Sequence, residues 1–193
     1  TGYLDYAMAS TALMDNILDV AVWHINADEP DLIDYDMSYK QDAQDALYAP
    51  DKYRSSDHDP VIVTMSFVQV DILPGSCDNP FNVKAKGVLP VAVLGTAELD
   101  VTEIDPATVT LAGVAPLRWS YEDVATLNDC SSKKGDGYLD LVLHFDRQEI
   151  VSVLGEVSDG QIVTLKLIGH LLPENGGTPV VGDDMLWIIK KGK

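Results

Sequence analysis

The chain has 193 residues, 46% of them hydrophobic, enough to bury a core and to make one large or two small domains. Lys and Arg number 13 against 31 Asp and Glu, a formal charge of −18 spread over both parts: residues 1–69 carry 3 cationic and 13 acidic groups, residues 70–193 carry 10 and 18. Strong nucleic-acid binding by this acidic chain alone is excluded, because phosphate affinity rests on cationic side chains and released counterions, and no run of about twenty apolar residues is present to span a bilayer.

In chain order, apolar runs at residues 3–9, 17–25 and 60–68, rich in Val, Ile and Tyr, predict strands. Ser10 or Thr11 is placed to cap a helical turn through Ala12, Leu13 and Met14. Residues 42–47 contain no β-branched side chain and predict a second helical turn, ended near Pro50. After Phe67 the style changes. A strand from Val70 runs into a turn at Pro74-Gly75, and apolar stretches of strand length recur at residues 88–94, 108–111, 139–145, 162–168 and 185–189. Gly, Pro, Asn and Asp punctuate them, the pattern of an antiparallel β-sandwich. The expected fold is therefore mainly β, with a boundary between residues 1–68 and 69–193. Trp119 and Trp187 are expected in the core, His144 within a strand, and His24 and His170 near strand ends.

The most informative stretch is Ser56-Asp57-His58-Asp59-Pro60. An Asp carboxylate can hold a divalent cation or orient an attacking water, and a neighbouring His can hydrogen-bond a phosphate oxygen as charge builds in the transition state. A second carboxylate is wanted to fix the imidazole tautomer, and Asp5 is the candidate. Taken singly, Ser-Asp and Asp-Pro are also common turn dipeptides.

Leu4-Asp5-Tyr6-Ala7-Met8-Ala9-Ser10, followed about fifty residues later by Asp57-His58, resembles the closing motifs of the endonuclease/exonuclease/phosphatase superfamily. Trp23-His24-Ile25-Asn26-Ala27-Asp28-Glu29-Pro30 and Tyr53-Arg54-Ser55-Ser56 look most like the secreted bacterial nucleases of that group. The resemblance covers roughly residues 1–68 and implies the last part of an α/β nuclease sandwich. It makes Asp5 the carboxylate that orients the histidine, Asp57 the metal-proximal or water-orienting aspartate, and His58 the phosphate-contacting histidine, with Mg or Mn as cofactor. The superfamily's early metal-binding Glu and its Gly-Asp-x-Asn segment are not present in that pattern. The expectation is a fragment of a secreted nuclease, inactive by itself, whose exposed strand edges invite pairing with a second chain.

The second part resembles an accessory β-domain of secreted bacterial and archaeal proteins, through Asp71-Ile72-x-Pro74-Gly75-Ser76, residues 87–96, Glu122-Asp123-Val124 and residues 140–145. That likeness speaks to architecture and an extracellular setting. Gly135-Asp136-Gly137-Tyr138-Leu139-Asp140 has the look of the end of a calcium loop, with Asp123, Asn128, Asp129, Asp136 and Asp140 as candidate ligands. An Asp-Gly turn before a strand needs no metal, so both readings stand. Cys77 and Cys130 lie in polar, turn-rich surroundings; an even count in a chain resembling secreted enzymes favours a disulfide, the alternative being two surface thiols. A reading from another class makes the sandwich a calcium-binding or partner-binding module without catalysis.

Overall fold

The computed structural model describes residues 6–190, apart from residues 15, 37, 50 and 133. The chain divides into two compact units, residues 1–65 and 66–193. The boundary falls just before the expected one because Val68 already donates its N–H to the Val181 carbonyl, at 2.9 Å, inside the second unit.

In the first unit a single helical turn, α1 (Thr11–Met14), leads into β1 (Ile17–Val22). Strand β2 (Val61–Met65) pairs antiparallel with it, setting Val20 opposite Val63 and Val22 opposite Val61. The acidic connection between them carries α2 (Asp42–Asp45), whose start is closed by reciprocal bonds between Gln41 and Gln44. Of the strand expected at residues 3–9, residues 6–9 are irregular and the earlier ones lie outside the described residues. Val20, Val22, Val61, Val63 and Met65 share one face of the hairpin and line an apolar groove of about 530 Å³ with the α1 segment. Val20 remains 55% exposed. A two-stranded ribbon is marginal in water by itself, and among the described residues of this unit only the 6–14 segment packs toward this face.

The second unit is a sandwich of two four-stranded sheets. Its strands are β3 (Val70–Ile72), β4 (Pro80–Asn82), β5 (Val88–Val93), β6 (Ile104–Leu111), β7 (Arg118–Glu122), β8 (Asp140–Asp146), β9 (Ile162–Leu171) and β10 (Pro179–Ile189). One sheet has the order β4-β10-β9-β6, the other β3-β5-β8-β7. Every pairing is antiparallel except β4 with β10, which is parallel because almost the whole unit lies between them in sequence. Helix α3 (Arg147–Leu154) joins β8 to β9; the Asp146 carboxylate caps it by accepting from the N–H groups of Gln148 and Glu149.

Period-two alternation builds the core. Leu89, Val91 and Val93 of β5 and Leu141, Leu143 and Phe145 of β8 meet Leu165, Leu167, Leu186 and Ile188 of the facing sheet, all fully or nearly fully buried. Each such side chain contributes about 1.5–3 kcal/mol relative to exposure. The same alternation corrects the expectation for the tryptophans. Leu186 and Ile188 take the inner face of β10, so Trp187 between them points outward and is 45% exposed; Trp119 on edge strand β7 is 47% exposed. Strands β4 and β7 and helix α3 were not anticipated, and β6, β9 and β10 run further than their apolar centres. Cys77 and Cys130 form a disulfide that closes a separation of 53 residues. No helix among the described residues is long and apolar enough to cross a membrane.

Candidate functional site

The hairpin extends into two loops that lock together. The Trp23 N–H donates to the Pro60 carbonyl and the Arg54 N–H to the Ile25 carbonyl, both at 2.8 Å. Asn26, buried, spans the gap with both ends of its amide: Nδ2 donates to the His58 carbonyl at 2.8 Å and Oδ1 accepts the Ser55 N–H at 3.0 Å. Asp59 returns the arrangement. Its Oδ1 accepts the N–H groups of Asn26 and Ala27 at 2.9 Å, and its Oδ2 lies 3.1 Å from His24 Nδ1. Desolvation works against the Asp59 anion, but the two N–H groups and His24 outweigh it and hold the carboxyl below the usual range. Arg54 clamps the next turn, donating to the Asn26 carbonyl and to the carboxylates of Asp31 and Asp34.

On this frame the backbone of residues 54–60 is fixed while the side chains of Asp57 and His58 face solvent, 70% and 45% exposed. The His58 N–H donates to Ser56 Oγ at 3.0 Å, turning the chain at that point. His58 Nε2 and Asp57 Oδ2 stand 3.8 Å apart, beyond a direct hydrogen bond and suited to a shared ligand or water. An imidazole and a carboxylate side by side on a hydrogen-bonded loop at the surface are the group types that can meet a phosphate from solvent. Asp5, the third member of the expected set, lies outside the described residues.

Two residues that sequence reasoning misses matter most to this geometry. Asn26 and Asp59 position the Asp57-His58 pair; Asn26 lies in the His-Ile-Asn-Ala-Asp stretch and Asp59 directly follows His58, but neither shows its role by residue type. Among the described residues, one group of three His, Cys, Asp or Glu side chains places its ligand atoms within 4.8 Å of one another: His24, Asp28 and Asp59. His24 Nδ1 is 3.0 Å from Asp28 Oδ2, so a cation there would have to displace the hydrogen bonds that fix the loop.

The candidate calcium ligands of the second unit are not gathered in this way. Asp123 accepts the N–H groups of Asp136 and Gly137, both at 3.0 Å. Asp136 accepts those of Leu127 and Tyr138, at 3.1 Å each, and Asp129 accepts from Ser131. Asp140, 1% exposed, accepts three at once, from Gly95, Val124 and Ala125. Burial raises the Asp140 carboxyl above its ordinary range in spite of those three donors, with Asp123 adding to the shift. Asn128 sits in left-handed backbone (φ 61°) within the same loop. These carboxylates tie the 123–140 segment to its own backbone.

Comparison of the chain with family models, curated proteins and solved structures finds no match.

Proposed function

We propose that residues 1–65 are the phosphate-handling end of a secreted, divalent-metal-dependent phosphodiesterase acting on nucleic acid, and that residues 66–193 form its accessory β-sandwich. The observation that carries this is the rigid 54–60 loop, whose backbone is fixed by Asn26 and Asp59 while Asp57 and His58 are presented to solvent. The uncovered valine face of the β1–β2 hairpin supports it too, since strands at the end of a larger nuclease sandwich would bury that face against neighbours. The disulfide is compatible with an extracellular setting.

In this reading His58 donates a hydrogen bond to a non-bridging phosphate oxygen as negative charge accumulates there. Asp57 holds the cation or orients the attacking water, and Asp5 keeps the imidazole in the donating tautomer. The donor chemistry fits: Mg or Mn takes one or two carboxylates and fills its sphere with water and phosphate oxygens, and Asp57 offers one exposed hard oxygen ligand. Such an ion, when bound, lowers the pKa of its water and offsets phosphate charge.

Plasmid nicking in Mg or Mn by the intact polypeptide that carries this sequence tests the reading. Asp57→Ala and His58→Ala are each expected to slow nicking by about 10²–10⁴-fold. Rates equal to the parent in both variants would overturn the assignment.

A further inference from the structure

Asn79 and Asp71 of the β-sandwich line one small cavity, and Asn79 Oδ1 is a buried acceptor with no hydrogen-bond partner. Asn79, 3% exposed, lies in the turn before β4 in left-handed backbone, φ 42°. Its Nδ2 donates to Asp184 Oδ2 at 2.8 Å and to the Met185 carbonyl at 3.0 Å. Both partners only accept, so the amide has one orientation; turned over, it would set oxygen against two oxygens. Asn79 Oδ1 is thereby fixed as an acceptor, and it is buried with no hydrogen-bond partner. Native structures rarely leave such a group unmatched unless a water or an ion completes it.

The second acceptor is Asp71, the middle residue of β3 and 8% exposed, whose carboxylate meets no donor among the described residues. Asp184 of β10 is the third oxygen group; its Oδ2 accepts the Ile72 N–H at 2.8 Å and its Oδ1 the Met185 N–H at 2.7 Å, which leaves each oxygen a further lone pair for a cation. These three residues line a cavity of about 100 Å³ walled in part by the Cys77–Cys130 disulfide. Desolvation, then the charges of Asp184 and Asp140, push the Asp71 carboxyl up to about 6, so near neutrality the cavity holds uncompensated negative charge. Two of the lining side chains are acidic, Gln69 and Thr126 complete the polar wall, and the space is large enough for an ion with a few waters.

We infer that Asp71, Asn79 Oδ1 and Asp184 form a binding site for a single calcium ion. The ion joins β3 of one sheet to β10 of the other. Mixed carboxylate and amide oxygens in an irregular cage suit calcium, which accepts six to eight oxygens flexibly; magnesium demands a near-ideal octahedron, and zinc prefers nitrogen and sulfur. The 123–140 loop closes part of the cavity wall through Thr126 and Cys130, while the carboxylates of Asp123 and Asp140 are turned to backbone N–H groups.

The test uses the full chain, stripped with EDTA and titrated with calcium chloride by calorimetry and thermal unfolding, with magnesium chloride and ionic-strength-matched sodium chloride as controls. Expected is one calcium site whose saturation at about 100-fold over Kd raises Tm by about 5–10 °C. Asp71→Asn keeps the side-chain shape and is expected to weaken calcium binding at least 10-fold; Asp184→Asn does the same and serves if the first variant fails to fold. Asp136→Asn leaves binding unchanged. Wild-type protein with no calcium heat and no shift beyond that in sodium chloride would assign the cavity to a water or to a protonated Asp71 and overturn the inference. So would a response that survives Asp71→Asn and is lost in Asp136→Asn.

Discussion

Asp140 satisfies three backbone N–H groups from two separate segments while nearly inaccessible to water. Asp140→Ala strands those donors in the interior, and each unsatisfied group costs about 1–3 kcal/mol. The variant is expected to lose about 3–5 kcal/mol in urea unfolding, among the largest effects a point change produces; a loss below about 1 kcal/mol would show that water replaces the carboxylate. At this scale the sequence was only half legible. A Gly-Asp-Gly-x-x-Asp run looks the same whether its oxygens face an ion or a ring of N–H groups, so Asp123, Asp129, Asp136 and Asp140 read as ligands. Asp59 was passed over because its partners lie more than thirty residues away and are main-chain donors, which carry no residue signature.

The loop between β7 and β8 has little apolar packing of its own and depends on polar ties and on one covalent one. Cys130 within it is bonded to Cys77 in the turn before β4. Closing a loop of that length removes unfolded-state freedom equivalent to about 4 kcal/mol. The double variant Cys77→Ala/Cys130→Ala is expected to unfold at a Tm lower by about 10 °C or more in calorimetry; an unchanged Tm would mean that strain offsets the entropy. Elements with continuous apolar centres, such as β5 and β8, were plain in the sequence because they are buried on both sides. Strand β7, Arg-Trp-Ser-Tyr-Glu, was not, since its Trp and Tyr do alternate with polar residues but over only five positions, too short a run to stand out beside the longer apolar stretches. Helix α3 had a readable cap in Asp146 with Glu149 three residues on, but its eight residues give the helical period little room to show.

Across the whole sandwich, order in space differs from order in sequence. Strand β10 lies inside its sheet, between β4 and β9, and supplies Val180, Leu186 and Ile188 to the core. The general class, two sheets over an apolar interior, followed from the spacing of apolar stretches; the parallel β4–β10 pairing did not, because nothing local in a three-residue strand announces a partner about a hundred residues away. Ending the chain after residue 178 is therefore expected to abolish cooperative unfolding of the second unit, measured by near-ultraviolet circular dichroism, where deletion of a true edge strand would only lower its Tm. On the ribosome this geometry sets a schedule. The segment from 66 to 178 emerges with its apolar faces unsheltered until β10 slides between strands made seconds earlier, so the sheet closes only late in synthesis of this unit.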